Sequence, residues 1–251
     1  MLLLFLNKGD GSMNEWFAKV VSDFSGAFIE GDRWKLYFQG LGKTLQIAAG
    51  AVVLGIIIGI VIAIIKVSAN QHSNSGKCPV FLKILEKICD IYLTVIRGTP
   101  VMVQLLIIYA GIFVTMTDGT IAAIVGFGIN SGAYVAEIIR AGIQSIDKGQ
   151  TEAGRSLGLT SGQTMRLIIL PQAIRNILPA LFNEFITLLK ETSVAGYVAV
   201  QDILKMATNI QNKVYNIAPL MITAVFYLVL VIIMTQVQKQ IERRLAQSDR
   251  R

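Results

Sequence analysis

The sequence predicts an all-α integral membrane protein with five transmembrane helices, its N-terminus outside and its C-terminus inside. Hydrophobic residues make up 53% of the 251 residues and charged residues only 16%, against roughly 25% charged in an average soluble domain. The apolar residues collect in runs such as Ile47–Ile65 and Ile217–Met234 that contain no ionisable group, and about 18 such residues suffice to cross a bilayer. Basic residues outnumber acidic ones by 23 to 16, a net charge of +7. Their excess falls in the segments between apolar runs, a pattern of membrane topology and not of a nucleic-acid-binding surface. A soluble enzyme would have to bury these runs as core, although helices of soluble domains average about 11 to 12 residues.

Each element follows in order. Met1–Leu6 is apolar but lacks a preceding basic region and is shorter than a secretory leader, so it is expected at the edge of a membrane-surface element. Lys8–Lys43 carries Trp16, Trp34 and Tyr37, with five basic residues balanced by five acidic ones. Such a neutral, aromatic segment suits the outer face and the interface. The first span is Thr44–Ile65, where Gly50, Gly55 and Gly59 permit close approach of another helix. Lys66–Arg97, with five basic and two acidic residues, reads as an inner loop containing Pro79, then a helix over Phe81–Ile96 that starts near the cytoplasmic surface. Cys78 and Cys89 lie there, and their spacing implies neither a disulfide framework nor a metal site.

Arg97-Gly98-Thr99-Pro100 interrupts the helix, because proline has no N–H and restrains the residue before it. The second span enters after this break and covers Val101–Val114. A short outer turn with Asp118 leads to the third span, Thr120–Ile139, whose Gly126, Gly128 and Gly132 favour helix packing over lipid contact. Arg140–Arg175 again holds five basic and two acidic residues and stays inside. Pro171 and Pro179 predict a restrained corner through which the chain re-enters the membrane as the fourth span, from about Asn176 to Ala195. Gly196–Asn216 is outer, Ile217–Thr235 is the fifth span, and the tail Gln236–Arg251 has five basic residues against two acidic. Fifteen basic residues in the inner segments against seven in the outer ones set the orientation.

The inner segment reads Gly149-Gln150-Thr151-Glu152-Ala153-Gly154-Arg155-Ser156-Leu157-Gly158, then Ile168-Ile169-Leu170-Pro171. This resembles the EAA loop of the permease subunits of bacterial ABC importers, with Glu152, Ala153, Gly158, Ile168, Leu170 and Pro171 at the matching spacing. Gly154 departs from the usual second Ala, a change expected to loosen the short helix. Arg97-Gly98-Thr99-Pro100, Ser131–Glu137 and Leu189-Lys190-Glu191-Thr192-Ser193 look like the polar amino acid branch of that family, the branch of histidine, glutamine and arginine permeases, as do Gly40 and Thr44-Leu45. The resemblance covers roughly residues 40 to 240.

The resemblance implies a type I importer arrangement: an extracytoplasmic or interfacial segment 1–43, a transmembrane domain 44–240 with a coupling segment at about 149–171, and a basic cytoplasmic tail 241–251. It implies a bacterial inner-membrane subunit that carries a polar amino acid and couples to ATPases through Glu152, Ala153, Gly154, Gly158, Leu170 and Pro171. The implied partners are two cytosolic ABC ATPase subunits, a second permease copy or a homologous permease, and an extracytoplasmic solute-binding protein. ATP and Mg2+ would sit on the ATPases, no cofactor or metal on this chain, and no nucleic acid is involved. Independently of the resemblance, a short helix ended by Gly158 can present small residues to a cleft in another protein while Glu152 pairs with a basic partner; Thr151 supplies a hydroxyl near its start.

The chain lacks the Gly-rich loop that cradles nucleotide phosphates. Gly40-Leu41-Gly42-Lys43-Thr44 ends like one but runs straight into the first span, with no strand before it. The fourth span is polar along one side: at 100° per residue, Asn183, Glu184, Thr187, Lys190 and Glu191 share an arc of about 120°. Ionisable groups at membrane depth face a bundle interior, a partner charge or an aqueous path. Glu184 and Glu191 could hold an ammonium or a basic side chain, Asn183 and Thr187 could hydrogen-bond, and Lys190 could take a carboxylate or pair internally with either Glu. Glu137 stands three residues before Arg140, where an i,i+3 ion pair competes with a ligand role. Gln104 and Tyr134 are further path candidates. An ion-coupled secondary carrier, a channel and a non-transporting scaffold are the competing classes; no internal repeat of the carrier type is evident across five spans.

Overall fold

The protein is described by a computed structural model that covers residues 11–74 and 79–248. Met1–Leu6 and Cys78 lie outside the described residues. Ten α-helices follow one another: α1 Gly11–Phe28, α2 Arg33–Asn74, α3 Val80–Gly98, α4 Val101–Ile112, α5 Thr120–Gln144, α6 Lys148–Ser156, α7 Ser161–Thr164, α8 Leu170–Glu191, α9 Ile203–Val214 and α10 Ala218–Ser248. Among the described residues, four helical stretches are long and apolar enough to cross a bilayer. The α3–α4 pair, bent by 109° at its break, brings the number to five when it is counted as one span. The expected kink at Gly98–Pro100 is therefore real. α4 alone, 12 residues or roughly 18 Å, is too short for a hydrocarbon core of about 30 Å. The expected second span is therefore a bent helix pair and not one straight helix.

Two boundaries move. α2 starts at Arg33, well before Thr44, and runs for 42 residues. Its early turns are helical because they pack: Tyr37 is fully buried with Ala27, Ile203 and Ala207, and its ring stacks on Phe226 of α10. The segment 11–43 is accordingly two helices, α1 and the start of α2, joined at Glu30–Asp32. The proline corner does not exist as a corner. α7 continues through a π-helical turn, Met165–Ile169, into α8, which includes Pro171 in its first turn and Pro179 in its interior. A wider turn relieves the crowding between a proline ring and the carbonyl four residues earlier, here Leu167, so the helix absorbs Pro171 instead of breaking.

The core sits where α2 and α5 cross, around Ile47, Ala51, Leu105, Phe127 and Leu188. Gly59 makes the crossing possible: a β-carbon there would lie 2.7 Å from Val135 Cβ and 2.9 Å from the Ala136 nitrogen. Overpacking of this kind costs about 1–3 kcal/mol. Gly59→Leu is expected to lower the unfolding temperature of the detergent-solubilised protein, whereas Gly42→Leu, with open space around it, should leave it unchanged.

α9 is clamped to α2 and α10. Asp202 caps α9, accepting from the backbone N–H of Leu204 at 3.2 Å and Lys205 at 3.1 Å, and the Ile203 N–H donates to Thr44 Oγ1 at 3.3 Å. Burial pushes the Asp202 carboxyl up from 3.8 to about 6, against the opposing effect of the cap hydrogen bonds and Lys205; the Tyr227 hydroxyl is the other titratable group facing it. Between about pH 4 and 6 the folded chain then holds more protons here than the unfolded one, so stability falls as pH rises through that window. Asp118 runs the other way. The Thr120 hydroxyl donates to its carboxylate and Lys43 pairs with it at 3.2 Å, holding it below its ordinary value, so its contribution is lost only at pH below the Asp202 window. Asp202→Asn keeps an acceptor for the cap and deletes the charge. It is expected to unfold with the parent near pH 4 and at a higher temperature than the parent at pH 7, read by thermal unfolding at both pH values; identical curves throughout would show that Asp202 does not titrate in this range.

Candidate functional site

Two surfaces collect the residues singled out from the sequence. The first is the segment from α6 to the start of α8, which holds the residues expected to couple to ATPases. α6 begins at Lys148 because Asp147 accepts from the Gly149 N–H at 2.7 Å, and it ends at Gly158, whose φ of +83° suits glycine. Thr151 is inside the helix and is not its cap. Of α6 only Gly154 is buried; Glu152, Ala153 and Arg155 are exposed. Directly after the helix, Leu157 is 81% exposed, an apolar side chain left largely uncovered by the described residues. Sequence reading passed over Leu157, since one leucine in a basic segment gives no signal until its burial is known. A hydrogen bond from Gln172 Nε2 to Gln150 Oε1 at 3.3 Å ties α6 to the start of α8, where Leu170 and Pro171 are exposed.

Gly154 is packed closely against the segment that follows α6. A β-carbon there would meet Thr164 Cγ2 at 2.8 Å and Ile168 Cδ1 at 2.9 Å. The missing side chain allows α6 to sit directly on the turn that leads into α8.

The second surface is a charged cavity of about 730 Å³, lined by Lys66, Asp90, Arg97, Glu137 and Arg140 among others. α2, α3 and α5 bring these groups together from distant parts of the chain. Lys66 Nζ lies 2.5 Å from Asp90 Oδ1. Glu137 accepts from Arg140 Nε at 2.9 Å and from its terminal nitrogen, and Arg97 Nη1 stands 3.9 Å from the same carboxylate. The i,i+3 pair expected of Glu137 is present, with a second cation added. Tyr134 lies under Arg97, 5.8 Å from ring centre to guanidinium carbon. Lys66, Asp90 and Arg97 were not singled out as site residues, because only the folding of α3 against α2 and α5 places them beside Glu137.

The polar stripe of α8 divides. At one edge, Glu184 turns towards α5 and accepts a hydrogen bond from Ser131 Oγ at 2.9 Å. At the other edge Asn183 and Lys190 are exposed, with Thr187 and Glu191 half-buried between. No ion pair within 4.0 Å joins Lys190 to Glu184 or Glu191 among the described residues. Leu189 and Phe185, on the other side, pack with Ala48 and Leu230. Gln104 is held at the α3–α4 break by its hydrogen bonds. Its amide donates to the carbonyls of Ile96 and Thr99, and it accepts from Asn130, so it braces the α3–α4 break against α5. Cys89 is free and buried against Ile62, Leu93 and Ala133, and therefore shielded from both sides.

Residues 80–247 match the family described as binding-protein-dependent transport system inner membrane component. The chain is 40% identical over 215 residues to the arginine transport system permease protein ArtQ of Bacillus subtilis (strain 168), covering 84% of this chain and 93% of that protein. It is 38% identical over 211 residues to the putative glutamine transport system permease protein GlnP of Rickettsia typhi (strain ATCC VR-144 / Wilmington), covering 82% and 91%. A crystal structure of an amino acid ABC transporter with histidines contains a chain 41% identical, superposing with a TM-score of 0.76 over 84% of this chain and 94% of that one. An inward-facing MetNI methionine ABC transporter shares the fold, with a TM-score of 0.72 at 20% identity over 86% of this chain and 99% of that one.

Proposed function

The chain belongs to the family of binding-protein-dependent transport system inner membrane components, and from that premise we propose that it is the permease subunit of an ATP-driven importer of a polar amino acid. It forms the path across the bacterial inner membrane, with its N-terminus outside, as one of two permease copies or beside a homologous permease. An extracytoplasmic binding protein delivers the solute, and two cytosolic ATPases bearing ATP and Mg2+ dock on α6.

The observation that carries this reading is the mixed charge of the 730 Å³ cavity. A zwitterion needs acceptors for its ammonium and donors for its carboxylate. The cavity offers Glu137, Asp90 and Glu86 for the first and Arg97, Arg140 and Lys66 for the second. Its volume lies within the range of about 300–1,000 Å³ usual for small-molecule sites. The carboxylates of the α8 stripe, Glu184 and Glu191, favour a basic or amide amino acid over an acidic one, in accord with the arginine and glutamine permeases among the similar proteins. Energy coupling falls to a partner because Gly40–Thr44 lies inside α2, where its backbone serves the helix and cradles no phosphate.

The test is reconstitution of the complete transporter with its ATPase and binding protein in proteoliposomes, with labelled basic, amide, acidic and neutral amino acids in competition. Uptake is expected to need ATP and to be inhibited most by basic and amide amino acids. Solute counterflow by the permease alone, without nucleotide, would overturn the reading in favour of an ion-coupled carrier.

A further inference from the structure

We propose that Gly154 and Thr164 are a size-matched pair of positioning residues that seat α6 on the π-helical turn, and that this seat sets how tightly ATP hydrolysis is coupled to transport. The inference rests on the reading of α6 as the ATPase dock. Gly154 is the one buried residue of α6, and the atoms that fill the place of its side chain are Thr164 Cγ2, Ile168 Cδ1 and Thr164 Oγ1, at 2.8, 2.9 and 3.0 Å from an ideal β-carbon. Ile168 can yield, since the atom concerned is the far end of a flexible side chain. Thr164 cannot: it is 1% exposed, and its β-branched side chain has few rotamers.

The contact lies on the route from α6 to the membrane. Thr164 ends α7, and the next residue, Met165, opens the π turn that leads through Leu170 and Pro171 into α8. Met165 lines the charged cavity and also an adjoining apolar cavity of about 530 Å³ between α2, α5 and α8. A push on α6 therefore reaches, through two packed side chains, the turn whose first residue walls the proposed path. The seat works by shape, because Thr164 Oγ1 is buried without a hydrogen-bond partner and contributes volume alone.

The experiment measures solute taken up per ATP hydrolysed by the complete transporter in proteoliposomes, beside ATPase binding to the permease. Gly154→Ala is expected to lower uptake per ATP several-fold, because the added methyl group meets Thr164 Cγ2 at 2.8 Å and α6 must shift off its seat. Thr164→Ala in the Gly154→Ala background removes both obstructing atoms and should restore the ratio. Thr164→Val alone keeps the shape, loses only the unpaired hydroxyl, and should leave the ratio at the parent value. A parental ratio in Gly154→Ala, or an equal loss in the double variant, would overturn the pairing. A merely structural role would lower the amount of folded protein without moving the ratio. Glu152→Lys is the separating control: uncoupling by Glu152→Lys together with parental coupling in Gly154→Ala sinks the pair and leaves the dock standing, whereas indifference to Glu152→Lys sinks the dock itself.

Discussion

Binding of the partner ATPase is expected to weaken by about 10- to 100-fold when Leu157 is replaced by Ala, since burying a leucine side chain contributes about 1.5–3 kcal/mol. Leu157 is 81% exposed at the end of α6, beside exposed Glu152 and Ala153. An apolar anchor rimmed by a charge is the form that interface hot spots take. Because Leu157 is 81% exposed, the variant should insert into the membrane and unfold at the parental temperature. Glu152→Lys should weaken the complex as well and make the residual affinity depend differently on salt, because it reverses a charge at the rim. Titration of ATPase onto permease in nanodiscs reads both effects. Parental affinity for Leu157→Ala would mean that the exposed leucine meets lipid and not protein.

A second large effect is expected at Glu184. Its carboxylate is held by Ser131 from α5, and among the described residues no cation lies within 4.0 Å of it. Glu184→Gln preserves size and hydrogen-bonding capacity and deletes the charge. If the carboxylate receives an ammonium or a basic side chain, the Michaelis constant should rise about tenfold or more for a cationic amino acid, since hydrogen bonds to charged groups contribute about 1.5–3 kcal/mol. A neutral amino acid should be affected less. Glu191→Gln should show a smaller or similar bias, and Phe185→Leu should change packing alone. The absence of a Lys190 pair adds a sharper expectation: replacing Lys190 as well should not rescue Glu184→Gln. Rescue would reveal an ion pair formed in another conformation, and equal constants for cationic and neutral solutes in well-folded Glu184→Gln would remove Glu184 from recognition.

The sequence by itself determined the membrane class, the helical architecture and the order of the spans, because each rests on local chemistry. Ile47–Ile65 cannot be solvated, Pro100 cannot continue a helix in regular geometry, and Gly158 can end one. It also singled out the segment 149–171 as one unit, since its residues are neighbours in the chain. What only the tertiary structure decided are matters of what touches what. Residues 33–43 are helical because Tyr37 finds a cavity among α9 and α10, and Pro171 is absorbed by a π turn that no local pattern announces. Gln104 braces the α3–α4 break, since its partners sit before that break, within it and on α5. The charged cavity escaped notice for the same reason: Lys66, Asp90, Arg97 and Glu137 come from three helices, and charges distant in sequence become one site only when apolar packing of α2 against α5 fixes where each helix ends. Gly154, read alone as a weakness in a short helix, becomes a close contact once Thr164 is seen to fill the space it leaves.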